Sequence, residues 1–195
     1  MLNENFVYVS LILSSIGGIA YLVATLRGVV QPNKVTWFLW ALTTLVTFAA
    51  EVQQGVGIQA WLTFSGGLSP LLVFLASFVN RRAYWRIRPL DIAAGILAAI
   101  GIVIWLVTRT GDVAIGANIA ASVLAGFPTV LKAYQYPETE HPRAYALGAL
   151  AGLLTLLTIS QWNFATYAFP ADLFLLNASI ALLAMRRPRQ IVRNA

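Results

Sequence analysis

The chain has 195 residues, of which 59% are hydrophobic and only 10% charged, against about 25% charged in soluble domains. So little charge cannot cover a water-facing surface, and so high an apolar content excludes disorder, which leaves an integral membrane protein of one domain, or two very small ones. Thirteen Lys and Arg against seven Asp and Glu give a net charge of +6; cysteine is absent and His141 stands alone, which excludes disulfides, thiolate chemistry and imidazole metal clusters.

An α-helix crosses a bilayer with about 20 mostly apolar residues, in a range of ~17–25. Seven segments meet or approach that length: 6–26, 35–52, 58–79, 91–108, 113–131, 144–161 and 167–185. Met1 to Asn5 lacks the basic stretch that opens a cleavable signal, so the first segment is expected to stay in the protein. The second carries Trp37 and Trp40 three residues apart, followed by Thr43, Thr44 and Thr47. Gln53-Gln54-Gly55 then separates it from the third segment, which contains Pro70.

A cluster, Arg81, Arg82, Arg86 and Arg88, precedes the fourth segment; the fifth holds Asn118 and Pro128. A polar turn with Glu138, Glu140 and His141 follows, and a lone histidine beside acids reads as solvated rather than as a metal ligand. Gly148 and Gly152 in the sixth segment, four apart, allow a neighbouring helix to approach closely. Gln161-Trp162-Asn163 ends that segment, and the seventh contains Pro170, Asp172 and Asn177.

Seven crossings put Arg27, Lys34, Arg81, Arg82, Arg86, Arg88, Lys132, Arg143, Arg186, Arg187, Arg189 and Arg193 on one side and Arg109 alone on the other. The positive-inside rule makes the crowded side cytoplasmic, with the N-terminus outside and the C-terminus inside the plasma membrane. Trp37, Trp85, Tyr84, Tyr134 and Tyr136 then form one interfacial belt, and Trp61, Trp105, Trp162 and Tyr167 the other.

The two ends of the chain repeat. A shift of 105 residues aligns Arg27 with Lys132, Pro32 with Pro137, and Arg81-Arg82 with Arg186-Arg187. The expected plan is all-α: three helices (1–89), a linker helix (90–112) and three more helices with a basic tail (113–195). An odd number of helices plus one linker leaves both triplets pointing the same way, as a parallel repeat.

Two stretches carry a family resemblance: Tyr21 to Trp40, and Gly126 to Glu140, each a helix end, a basic residue, a polar turn and a new helix. With the 3+1+3 plan they make the chain similar to the SWEET and PQ-loop transporter superfamily, and to a group of prokaryotic membrane proteins for which the resemblance supplies no activity. The Pro-Gln dipeptide itself is missing, Pro128 being followed by Thr129. The resemblance implies a carrier that works by alternating access, with an asparagine of the seventh helix, here Asn177, beside the substrate. A receptor or assembly subunit on the same fold is the alternative.

Asp172 is a candidate to bind a cation or proton, because a carboxylate costs on the order of 2.5–3.5 kcal/mol at a helix centre, less nearer the interface, and is kept for a partner or a polar cavity; the equal alternative is an interfacial residue beside Pro170, wetted from outside. Trp40 is a candidate for stacking on solute, Thr44 lies one turn further along, and Asn118 is at the right depth to hydrogen-bond Asp172. On an ideal helix Asp172 and Asn177 stand about 140° apart in azimuth, so the two are not expected both to point straight at one pore, and Asn177 is the one favoured to face the pocket. Pro70, Pro128 and Pro170 are candidate hinges. No paired aspartates, Ser–His pair or phosphate loop is present, so no enzyme, cofactor or metal is expected. The expected partners are membrane lipids and a small-molecule solute, not nucleic acid; a homo-oligomer stays open.

Overall fold

A computed structural model describes residues 2–84 and 86–186. Trp85, Arg187, Arg189 and Arg193, named above for the aromatic belt and the basic tail, lie outside the described residues. The chain is all-helical: α1 (Phe6–Leu26), α2 (Lys34–Gln53), α3 (Ala60–Ala76), α4 (Pro89–Thr108), α5 (Gly111–Gln135), α6 (Pro142–Thr158) and α7 (Phe164–Ala184). A single 3-10 turn spans Pro137–Thr139. Among the described residues the one extended pairing is a parallel bridge between Asn33 and Tyr84.

Local chemistry sets the helix ends. Asn33 and Asn163 cap α2 and α7 by accepting the backbone N–H of Val35 and Thr166, and His141 Nδ1 caps α6 by accepting that of Ala144 at 3.2 Å. Pro89 and Pro142 occupy first-turn positions, where a missing N–H costs nothing. Gly28 and Gly55, at φ 68° and 73°, let the chain leave α1 and α2 through the left-handed region. Five helices are long and apolar enough to cross a membrane; α3 and α6 are apolar but only 17 residues long, or about 25 Å at 1.5 Å per residue.

Six helices close a ring in the order α1, α3, α2, α5, α7, α6 and back to α1, and α4 packs outside it against α5 and more lightly against α2. Among the described residues the backbones of α1 and α2 do not come within 8 Å of each other, nor do those of α5 and α6: α3 lies between the first pair and α7 between the second, although Tyr21 of α1 and Trp37 of α2 meet through their rings. Glycines allow the tightest seams. A Cβ on Gly17 would sit 2.8 Å from the Ala144 carbonyl oxygen, and one on Gly152 would sit 2.7 Å from that of Pro170.

The distribution of polarity is reversed from that of a water-soluble protein. Ser10, Ser14, Thr43, Thr47, Thr63, Asn118 and Thr155 are buried, while α4 turns Ile92, Ile96, Ile100, Val103 and Val107 outward, Val107 with 77% of its surface exposed. In water, apolar exposure on this scale costs about 25 cal/mol per Å².

The loops gather at two ends. At one, Gln31 bonds Thr139, Lys34 bonds Tyr84, Asn80 bonds Val30, and Arg186 lies over the Tyr134 ring. At the other, Glu4, Gln54, Asp112, Gln161 and Asn163 surround a polar cup of about 390 Å³. Among the described residues every Lys and Arg except Arg109 belongs to the first, basic end.

Candidate functional site

The ring encloses a cavity of about 100 Å³ walled by all six of its helices and by nothing from α4. Small residues on α1 and α3 open the space: Ser14, Gly17 and Gly18 on the first, Gly66 and Ser69 on the second. Larger side chains supply the wall, and α7 gives the broadest face, with Phe169, Asp172, Leu173, Leu176 and Asn177.

Towards the basic end the wall is aromatic. The Tyr21 and Trp37 ring centroids are 4.5 Å apart; Tyr21 meets Tyr145 edge-on at 5.6 Å, and Trp37 meets Trp40 edge-on at 5.3 Å. Both phenols donate to one oxygen of Glu140, Tyr21 at 2.9 Å and Tyr145 at 3.1 Å. The other Glu140 oxygen is ion-paired with Lys132, which also donates to the Gln31 carbonyl. Lys132 stands 5.7 Å from the Tyr84 ring centre. Burial pushes the Tyr84 phenol up, only partly opposed by Arg88, so it stays neutral. A buried, internally satisfied latch thus joins α1, α5, α6 and the loops after α1 and α3 beneath the cavity.

Towards the cup, Asp172 receives one long hydrogen bond, 3.5 Å from Ser122 Oγ of α5. Trp40 Nε1 donates to the Ser122 carbonyl at 3.0 Å, which ties α2 to α5 and leaves the indole ring as wall. Thr44 is buried in the same wall. Trp37, Trp40, Thr44, Thr47 and Glu51 fall at spacings of three and four along α2, on one helix face. Glu51 is 1% exposed and faces the hydroxyl of Thr63 on α3. Helical side chains lean towards the N-terminus, so this carboxyl lies between the cup and the cavity.

No family model, curated protein or solved structure matches this chain.

The structure brings Asn177, Trp40, Thr44 and Asp172 together in one wall, with Pro70. It corrects two sequence expectations. Asp172 and Asn177 both line the cavity, because α7 presents an arc about as wide as the apolar stripe of an amphipathic helix. Asn118, 0% exposed, does not line it; its amide donates to the Ala114 carbonyl at 2.7 Å and its side chain lies near Gly101 of α4, so Ser122 and not Asn118 is the partner of Asp172. Pro128 and Pro170 are buried within α5 and α7 outside the cavity wall, and both helices run on through them.

Sequence reading missed Tyr21, Tyr145, Ser122, Glu140 and Glu51. Glu51 carried a signal, its spacing from Trp40 and Thr44. Glu140 carried none, since a glutamate in a polar turn reads as solvated. Among the described residues no three His, Asp or Glu side chains gather as a metal shell would require.

Proposed function

We propose that this chain is an integral plasma-membrane protein that carries a small solute by alternating access, with its site in the ring cavity. The observation that carries the reading is the neighbour pattern of the helices. Exchanging α1 with α5, α2 with α6 and α3 with α7 turns each ring contact into another: α1–α3 into α5–α7, α3–α2 into α7–α6, and α2–α5 into α6–α1. The 105-residue shift also pairs cavity residues, Gly17 with Ser122 and Trp40 with Tyr145. This supports a parallel 3+1+3 repeat with α4 as linker, and a solute site where the two triplets meet.

The outward isoleucines and valines support lipid contact by all seven helices, the two 17-residue helices being met by local thinning of the bilayer. The basic end faces the cytoplasm in this reading, and the cup faces outside. Asp172 serves as the coupling site for a cation or proton. The reading assigns no catalysis.

A cavity of about 100 Å³ is smaller than the ~300–1,000 Å³ of pockets for drug-sized ligands, so the carrier reading requires the triplets to separate before a solute of that size enters. The same small volume favours the second reading, a receptor or assembly subunit that moves nothing. Uptake of labelled sugars, amino acids and vitamins into proteoliposomes, with and without a pH gradient, decides between them. The carrier reading expects saturable uptake of at least one solute; absence of any uptake together with stable capture of a partner protein would favour the receptor.

A further inference from the structure

We infer that the cavity takes a compact organic cation, an ammonium head without an acidic group; this rests on the solute-site reading of the same cavity. Among the described residues the wall contains one carboxyl, Asp172, and no Lys, Arg or His. Lys132, beneath it, is tied to Glu140 behind the phenols of Tyr21 and Tyr145. A carboxylate or phosphate placed here would meet an acid and no counter-charge.

Hydrogen-bonding capacity points the same way. A sugar or an amino-acid carboxylate needs several donors aimed into the cavity, yet most of the strong donors of the wall, the Trp37 indole N–H aside, already have an acceptor within the protein. The Trp40 indole N–H goes to the Ser122 carbonyl, both phenols go to Glu140, and the Asn177 amide goes to the Leu173 carbonyl at 2.9 Å. Asp172 itself has only the 3.5 Å contact from Ser122, at the far limit for a hydrogen bond. An acceptor without a strong donor, partly buried in a cavity wall, suits an incoming N⁺–H or alkylammonium group.

The remaining wall suits it too. Trp37 against Trp40 and Tyr21 against Tyr145 cross at 84° and 73°, so the rings form corners like those of an aromatic cage instead of a flat stack. Ring faces attract a desolvated ammonium. The small volume restricts the class to compact heads.

The test is titration calorimetry on the full-length protein in detergent micelles. The probes are methylammonium, tetramethylammonium and choline, with 3,3-dimethylbutanol as the neutral isostere of choline and acetate as the anion. At least one cation binds, while the isostere and acetate bind at least about tenfold more weakly. D172N loses the cation by about tenfold or more, and D172E, which keeps the charge, retains most of it. D172E separates a charge effect from misfolding. Equal binding of choline and its isostere, unchanged cation binding in D172N, or no binding by any of the three cations overturns the inference. Cation binding without uptake in proteoliposomes upholds it and counts against the carrier; uptake of a neutral solute without cation binding does the reverse.

Discussion

Lys132 at the end of α5 and Glu140 in the following turn form an ion pair whose side chains are 12% and 1% exposed, and the same carboxylate holds the phenols of Tyr21 and Tyr145. This latch joins α1, α5 and α6 at the basic end of the ring, so on the proposed carrier reading an opening towards that end would require breaking it. Removing one partner of a buried pair leaves the other uncompensated and costs about 3–5 kcal/mol, whereas replacing both with apolar groups is often neutral. K132M and E140Q are each expected to lower the thermal midpoint in detergent, and K132M/E140L to recover most of the loss. Single variants that melt like the parent would show that the pair bears no load.

Glycine seams give a comparison within one chain. An added methyl at Gly152 meets the backbone of Pro170 and Phe174 within 3 Å, while one at Gly95 of α4 meets nothing within 4 Å. G152A is expected to destabilise by about 1–3 kcal/mol through overpacking. G95A should be neutral or stabilising by up to about 1 kcal/mol, since alanine is the better helix former. Equal melting of the two would contradict the packing of α6 on α7.

Much of this fold could be read from the sequence. Hydropathy located each helix to within a few residues, while the turn chemistry at Asn33, Pro89 and Asn163 that fixes three of the starts emerged only with the structure. Charge partition separated the two ends. The ring order was not legible, because apolar helices of one length carry little information about which neighbour each will choose. The fates of Asn118 and Glu140 were decided by that order: one met α4, and the other met Lys132 and two phenols. Sequence spacing predicts depth along a helix well and azimuthal partners poorly.

The coupling role of Asp172 makes a kinetic prediction. Where uptake is driven by a proton gradient, D172N should abolish the gradient-dependent part while protein yield and melting stay near the parent. Gradient-dependent uptake that persists unchanged in D172N would remove the carboxyl from the coupling step.

The absence of native cysteine makes topology directly measurable. E138C and Q161C lie at opposite ends of the ring, in the turn after α5 and in the cup. An impermeant thiol reagent applied to intact cells should modify Q161C and spare E138C, which becomes reactive only in inverted vesicles. Reaction of both from one side would refute the seven crossings.

The most direct measurement is accessibility at the cavity itself. Asn177 lines it, so N177C reports whether water and small reagents arrive from one face, both or neither. Alternating access predicts modification of N177C by the impermeant reagent in right-side-out and in inverted vesicles alike, each slowed by a bound solute. Protection from both faces, or reaction from only one, would mean a sealed core or a blind pocket and would contradict the carrier.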